Sequence, residues 1–151
     1  MKIEINNQTN YKINLKLVKK VISVFGRVYP VKSPLKRGVK QFNGVNKIKN
    51  KEISLAFIGD AEMKKLNLTY RGLNKATDVL SFIGGGDYFG EIIIDYNQVK
   101  KQAKQFKNSA EKELIFILTH GLLHLLGYND KTEKQREKMI KIGEEFIKKH
   151  L

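Results

Sequence analysis

The sequence predicts an α+β fold, with one small mixed sheet of about four strands covered by about five helices. Short apolar or alternating runs, typical of strands, are separated by longer segments whose apolar residues recur at helical spacing. One of these segments, LIFILTHGLLHLLG, is apolar on nearly every side, so we expect its helix to lie centrally. The chain has 151 residues, and this length predicts a single domain over residues 1–151.

The first third of the chain predicts a strand, a helix and a basic loop. KIEIN alternates isoleucines with polar residues, as a short strand does. NLKLVKKVISVF has apolar residues at helical spacing, and Asn14 is its expected N-cap. Residues 26–51 contain both prolines, three glycines and no acidic residue. They indicate a long basic loop, with Tyr29 and Phe42 as its expected ordering contacts.

The next elements are a strand, a helix and two more strands. ISLAFIG suits a buried strand, and the helix AEMKKLNLTYRG follows it. Asp60 is the expected N-cap of that helix, and Gly72 is expected to end it. TDVLSFI and EIIID are the other two predicted strands, and the glycine-rich turn GGGDYFG joins them.

Three further helices complete the prediction. The first is the short amphipathic segment YNQVKKQAKQF. Ser109 is expected to cap the second, which is the apolar helix. Thr132 and Gln135 predict a capping box at the start of the third. His150 lies in the lysine-rich end of that helix, where we expect a solvated side chain.

The charge of the chain is unevenly distributed. The formal net charge is +14, and the first 51 residues carry 13 Lys or Arg against one acid, Glu4. Such a basic part is typical of proteins that bind polyanions, nucleic acids above all. A lysine-rich composition without any such partner would give the same pattern, and charge alone does not separate the two.

Composition also excludes several classes of function. The chain has no cysteine, which excludes disulfides, thiolate zinc sites and cysteine nucleophiles. Its first residues lack the continuous apolar stretch of a signal peptide. The most apolar segment is too short, and too rich in His and Gly, to span a bilayer. We therefore expect a cytoplasmic protein with no membrane partner.

The motif HGLLHLLGYND, residues 120–130, predicts a metal site. His120 and His124 are four residues apart, which places both imidazoles on one helical face. A continuing helix would place Asp130 on the wrong side, but Gly127 can take the left-handed conformation that ends a helix. The chain could then return Asp130 to the histidines, and three protein ligands would leave an open, catalytic-type position.

Two simpler interpretations of the motif remain open. His120 and His124 could be imidazoles that an apolar helix happens to carry, and Asp130 could merely support the start of the last helix. Zinc proteases with two histidines at this spacing also need a glutamate after the first of them, as general base. Gly121 occupies that position, which argues against peptide hydrolysis.

Three motifs together resemble the YbeY family of ribosomal RNA maturation factors. They are LNLTYRGLNKATDVLSF, GEIIID and HGLLHLLGY, in that order, and the resemblance covers roughly residues 52–149. It implies a single-strand-specific, metal-dependent endoribonuclease that acts in 3′-end maturation of 16S ribosomal RNA and in ribosome quality control. The implied partners are single-stranded RNA of the small-subunit precursor and the small ribosomal subunit, and the implied cofactor is one Zn²⁺ per chain.

Carried over by position, the resemblance assigns roles to four residues. The metal ligands become His120, His124 and Asp130, and Arg71 joins the two histidines as a catalytic residue. The family pattern ends in Asp-His where this chain has Asn129-Asp130. A carboxylate is still a competent zinc ligand, but it makes the site harder and would admit other divalent metals more readily.

Two further residues, Arg71 and Asp78, have more than one possible role. The guanidinium of Arg71 suits two-point contact with a phosphate, whereas taken alone it is a favourable cation at a helix end. Asp78 could orient a metal ligand or cap a turn, and the sequence does not distinguish these two roles.

The alternative function is a non-catalytic ribosome- or RNA-binding factor with a weakened metal site, and a metalloprotease is the third candidate.

Overall fold

The computed structural model describes residues 1–29 and 50–151, and within them it contains four strands and five helices. In chain order the elements are β1 (Lys2–Asn7), α1 (Leu15–Val28), β2 (Glu52–Ile58), α2 (Asp60–Arg71), β3 (Val79–Ile83), β4 (Tyr88–Asp95), α3 (Tyr96–Gln105), α4 (Ala110–Leu125) and α5 (Glu133–His150). This content confirms the predicted α+β class.

The four strands form one mixed sheet in the order β1-β2-β4-β3. β2 runs parallel to both β1 and β4, while β3 pairs antiparallel with β4 and forms an edge of the sheet. Alternate side chains of β4 face opposite sides, as a pleated strand requires. Ile92 and Ile94 therefore belong to the main core, and Ile93 belongs to a smaller cluster on the other face.

The helices cover the sheet unequally. The main core joins buried residues of α1, α3, α4 and α5 to one face of the sheet. α2 packs on the opposite face, where Met63 meets Leu80 and Ile93. α4 is buried on nearly every side and lies centrally, as predicted. Among residues 1–29 and 50–151, none of the helices combines the length and the apolar composition that a bilayer crossing requires.

The helix boundaries follow the predicted caps with one correction. Side-chain oxygens of Asn14, Ser109 and Thr132 accept hydrogen bonds from the first turns of α1, α4 and α5, and Thr132 and Gln135 form the capping box. Asp60, however, is the first residue of α2 rather than its cap, and Gly59 caps without a side chain. The carboxylate of Asp60 instead accepts hydrogen bonds from α3, a long-range contact that no local pattern reveals.

Residues 26–28 belong to a helix and not to the predicted basic loop. α1 continues through Gly26 to Val28, and the Tyr29 ring then packs against Phe25 and Phe146 at centroid distances of 4.6 and 5.8 Å. The rest of the predicted basic loop, residues 30–49 with Phe42, lies outside the described residues. His150 is also less exposed than predicted, because it is half-buried with its ring 5.6 Å from that of Phe146.

A buried carboxyl group ends β4. Asp95 is fully buried, and its Oδ1 accepts hydrogen bonds from the backbone N–H groups of Asn97 and Gln98 at 3.0 and 3.3 Å. Its Oδ2 is buried without a hydrogen-bond donor among the described residues. Burial, reinforced by the neighbouring Asp60, raises the pKa of Asp95 to about 7. When it is protonated, Asp95 donates a hydrogen bond to the carboxylate of Asp60. This bond lowers the pKa of Asp60 to about 2, although desolvation opposes the shift.

Candidate metal centre

Helix α4 holds both histidines close to the sheet. His120 and His124 lie one turn apart near its C-terminal end, and both are partly buried. Gly121 lies on the side that faces the sheet, where a Cβ atom would come within 3.2 Å of Ser81 Oγ and 3.3 Å of Ile92 Cδ1. A side chain at this position would push α4 away from β3 and β4. The packing of α4 on the sheet therefore leaves no room at position 121 for the glutamate that zinc proteases use as general base.

A glycine turn returns the chain to the histidines. Gly127 has φ of 90°, its N–H donates to the carbonyl of His124, and the N–H of Tyr128 donates to the carbonyl of Leu123. These bonds close the end of α4 in the left-handed geometry that glycine favours. Three residues later Asp130 lies beside both imidazoles, just before the capping box of α5. The predicted return of Asp130 is thus what the fold produces.

Three ligand-type atoms form a triangle of nearly equal sides. His120 Nε2 lies 3.2 Å from His124 Nε2, and Asp130 Oδ2 lies 3.3 and 3.5 Å from these two nitrogens. Two ligands bound tetrahedrally about 2.1 Å from one zinc-like ion are about 3.4 Å apart. The three residues, called here the His–His–Asp cluster, therefore fit a single divalent ion and leave a fourth position open.

The protonation states of the cluster also suit a metal ion. Burial, followed by the nearby charge of His124, lowers the pKa of His120, although its hydrogen bond with Asp130 opposes the shift. Burial acts to raise the pKa of Asp130, but the charge of His124 and the hydrogen bond from His120 outweigh it, and this pKa lies below its usual value. At neutral pH His120 is neutral and Asp130 is ionised, as metal ligands must be.

Neighbouring groups fix the orientation of each imidazole. His124 Nδ1 lies 3.1 Å from the carbonyl oxygen of Tyr128, which can only accept, so Nδ1 donates to it and Nε2 faces the cluster. The His120 ring stacks against Phe116, one turn earlier on α4, with centroids 6.5 Å apart. Both contacts hold the nitrogens toward a common point before any ion arrives.

The cluster opens into a cleft of about 810 Å³, referred to as the site cleft. This volume is within the range of about 300–1,000 Å³ that is typical of ligand pockets. The cleft lies along edge strand β3, between the end of α2 and the turn from α4 to α5. Besides the His–His–Asp cluster, it is lined by Tyr70, Arg71, Asp78, Phe116, Lys131 and Arg136, among others.

The structure places the other predicted residues as follows. Arg71 is exposed at the C-terminal end of α2 and lines the same cleft as the His–His–Asp cluster. Asp78 also lines it, but its carboxylate accepts hydrogen bonds from the backbone N–H of Val79 and from Gln102 Nε2, at 2.8 and 3.1 Å. Asp78 therefore holds the start of β3 against α3, and its charge reaches His120 only through space.

Several lining residues were not identified from the sequence. Lys131 directly follows Asp130, and Phe116 precedes His120 at the spacing of one helical face, so local signals for both existed. Arg136 lies in the first part of α5, and both oxygens of Glu133 accept hydrogen bonds from it at 2.8 Å. Tyr70 carried no signal of its own, because only the folded chain brings the end of α2 to the cleft.

Sequence similarity links the chain to one protein family. The family model described as endoribonuclease YbeY matches residues 4–150. A relative from Phytoplasma mali, called endoribonuclease YbeY, is 33% identical over 151 residues, which cover 99% of this chain and 88% of the relative. A relative of the same name from Thermodesulfovibrio yellowstonii is 43% identical over 102 residues, 63% of this chain and 64% of that one. In that second match the aligned region thus spans less than two thirds of the relative.

A solved structure has the same fold. The solution structure of a Thermotoga maritima protein matches with a TM-score of 0.57 and 30% sequence identity, covering 95% of this chain and 87% of that one. The family model covers almost the whole chain, and the Phytoplasma mali relative aligns along almost its full length. The chain therefore belongs to the endoribonuclease YbeY family.

Proposed function

We propose that the protein is a single-strand-specific, metal-dependent endoribonuclease that acts in 3′-end maturation of small-subunit ribosomal RNA and in ribosome quality control. The observation that carries the proposal is the convergence of His120, His124 and Asp130, whose ligand atoms all lie within 4.8 Å of one another, in a cleft shared with Arg71. The names of the relatives support RNA cleavage as the activity. We further propose residues 1–151 as one functional domain, with the small ribosomal subunit as partner and the cytoplasm as location.

The proposed cofactor is one Zn²⁺ held by the His–His–Asp cluster. The nearly tetrahedral spacing of its donor atoms supports a four-coordinate ion. The carboxylate of Asp130 makes the donor set harder than three imidazoles would be, so Mn²⁺ or another divalent ion is an acceptable substitute. When bound, the ion would supply Lewis-acid stabilisation to charge that develops on the scissile phosphate.

The cationic side chains of the cleft position the RNA. Arg71 has a planar guanidinium that can hold two phosphate oxygens at once, and it is the only arginine at the end of α2. Lys131 adds a second positive charge beside the cluster, whereas Arg136 is already partly neutralised by Glu133. A net charge of +14 provides further, sequence-independent attraction along the RNA backbone.

A non-catalytic RNA-binding factor is the second candidate. It is favoured by one specific observation, the aspartate at position 130 where the family pattern has a histidine. A metalloprotease is disfavoured, because position 121 faces the sheet and has no room for a general base. Metal content and cleavage, measured on the same preparations, separate the two remaining functions.

The experiment compares the wild-type protein with Asp130→Ala and with the control Asp87→Ala, which removes an exposed carboxylate outside the cleft. Each protein is loaded with Zn²⁺ or Mn²⁺, dialysed and assayed for metal by elemental analysis. Cleavage of an end-labelled single-stranded RNA is then measured beside the same sequence in a duplex. We expect one ion per chain and single-strand cleavage for wild type and Asp87→Ala, and loss of both for Asp130→Ala. A wild-type protein that binds RNA, holds no ion and never cleaves would establish the binding factor instead.

A further inference from the structure

Tyr70 presents an exposed aromatic ring inside the site cleft. Its residue is 61% exposed, although it lies within a helix that is packed on the sheet. The ring contacts Phe82 of β3 edge to face, with centroids 4.8 Å apart and planes at 67°. Phe82 in turn packs against the smaller core cluster of Ile58, Met63, Leu80 and Ile93. The tyrosine is therefore supported from below by a partly buried ring while much of its own surface stays open.

Exposure alone would not distinguish this ring from other surface aromatics, which are common on soluble proteins. Phe106 is also 61% exposed, but it caps α3 and does not line the site cleft. Tyr70 differs in its position, because it lines the cleft together with Arg71 and the His–His–Asp cluster. Its hydroxyl also has no hydrogen-bond partner in the part of the chain that the structure describes, so no polar contact explains its placement.

The neighbouring charges identify the kind of ligand that the ring would take. Arg71 directly follows Tyr70 at the end of α2, so a guanidinium and an aromatic ring project from adjacent positions of one helical turn. Lys131 adds positive charge to the same cleft, whereas the charge of Arg136 is partly offset by Glu133. An aromatic face beside clustered cations is the arrangement that proteins use for single-stranded nucleic acid, with bases stacked on the ring and phosphates on the cations.

We propose that Tyr70, supported by Phe82, is a stacking site for one unpaired nucleobase of the RNA next to the phosphate held by Arg71. This inference rests on the proposed function and deepens it, because it supplies a physical origin for single-strand preference. A base within a duplex is already stacked on its neighbours and must be pulled out before it reaches Tyr70. An unpaired nucleotide pays less of that cost, so the ring selects for single strands without reading sequence.

The test uses a short single-stranded RNA that carries one 2-aminopurine, whose fluorescence falls when the base stacks on an aromatic ring. Binding is measured by fluorescence anisotropy in the presence of a chelator, so that it does not depend on cleavage. The variants are Tyr70→Ala, Tyr70→Phe, which keeps the ring, and the control Phe106→Ala, which removes an equally exposed ring outside the cleft. Metal content and thermal unfolding of each variant are measured in parallel.

Tyr70→Ala should bind the RNA roughly 5- to 100-fold more weakly and lose the fluorescence quench. It should also discriminate less between single-stranded and duplex RNA. Tyr70→Phe and Phe106→Ala should behave like wild type, and metal content should be unchanged throughout. Wild-type affinity and quenching in Tyr70→Ala, or an equal loss in Tyr70→Phe, would overturn the stacking site. Absence of cleavage by the metal-loaded wild type would instead defeat the proposed enzyme function, while the binding arm would still test the stacking site by itself.

Discussion

Replacing Asp95 by asparagine should make the protein more stable above neutral pH. Asp95 is fully buried and its pKa is raised to about 7, whereas the same carboxyl in an unfolded chain titrates near 3.8. Between these two pH values the native state keeps a proton that the unfolded state has lost. The stability contributed by the neutral carboxyl is therefore complete below pH 3.8 and is lost as the pH rises through 7.

The size of the effect follows from the pKa difference. A shift of about three units at about 1.4 kcal/mol per unit corresponds to a loss of about 4 kcal/mol across this window. Asparagine keeps an oxygen for the N–H groups of Asn97 and Gln98, and its amide can donate to Asp60 as the protonated carboxyl does. The variant should thus be more stable than wild type at pH 8 by up to about 4 kcal/mol, or about 10 °C in Tm.

The assay is urea unfolding of metal-free protein, followed by circular dichroism at a series of pH values from 4 to 8. The control is Asp87→Asn, which neutralises an exposed carboxylate. Asp60 affects stability in a different pH range. The stabilisation that goes with its lowered pKa is present above pH 3.8 and is lost only as the pH falls toward 2. Parallel stability curves for wild type and Asp95→Asn between pH 4 and 8 would refute the reasoning.

Three further predictions address the site cleft and the helix that supports it. Arg71→Lys keeps the charge but loses planar two-point contact, so single-turnover cleavage should fall by about a hundredfold or more while metal content stays at wild-type level; near-normal cleavage would remove Arg71 from the mechanism. Gly121→Ala should lower the free energy of unfolding by about 1–3 kcal/mol, because its Cβ would lie 3.2 Å from Ser81 Oγ, whereas Gly85→Ala, with open space around it, should change little. Asp130→His should retain one ion per chain, and its preference for Zn²⁺ over Mn²⁺ should be stronger than that of wild type. Competition binding of the two ions measures this preference. An unchanged preference would mean that residue 130 does not ligate the ion.

The sequence predicted the elements and the convergence of the His–His–Asp cluster well, because both depend on local signals. Side-chain caps, alternating strands and a left-handed glycine act within a few residues, and the return of Asp130 needs only the turn at Gly127. The assignments that the motif and the resemblance gave to Arg71, His120, His124 and Asp130 concern roles rather than positions, and they stay proposals.

What the sequence could not predict depends on contacts between distant residues. Asp60 looks like a helix cap, yet its partners Asn97 and Gln98 are 37 and 38 residues away. The raised pKa of Asp95 depends on its burial and on Asp60 of α2, which lies far away in the sequence. The contact between Tyr70 and Phe82 likewise joins α2 to edge strand β3. Strand order is likewise absent from any local pattern, because hydrophobic periodicity does not say which strands are neighbours.

The position of Asp130 ties metal binding to the architecture of the last helix. Two candidate ligands belong to α4, whereas the third stands in the short turn that leads directly into the capping box of α5. An ion bound by all three would act as a clamp between the two helices, and its binding free energy would add to the stability of their junction. α5 also carries Phe146, which packs against Phe25 and Tyr29 at the end of α1. The same helix thus begins beside the candidate metal site and, through Phe146, packs near the point where the chain enters its most basic stretch.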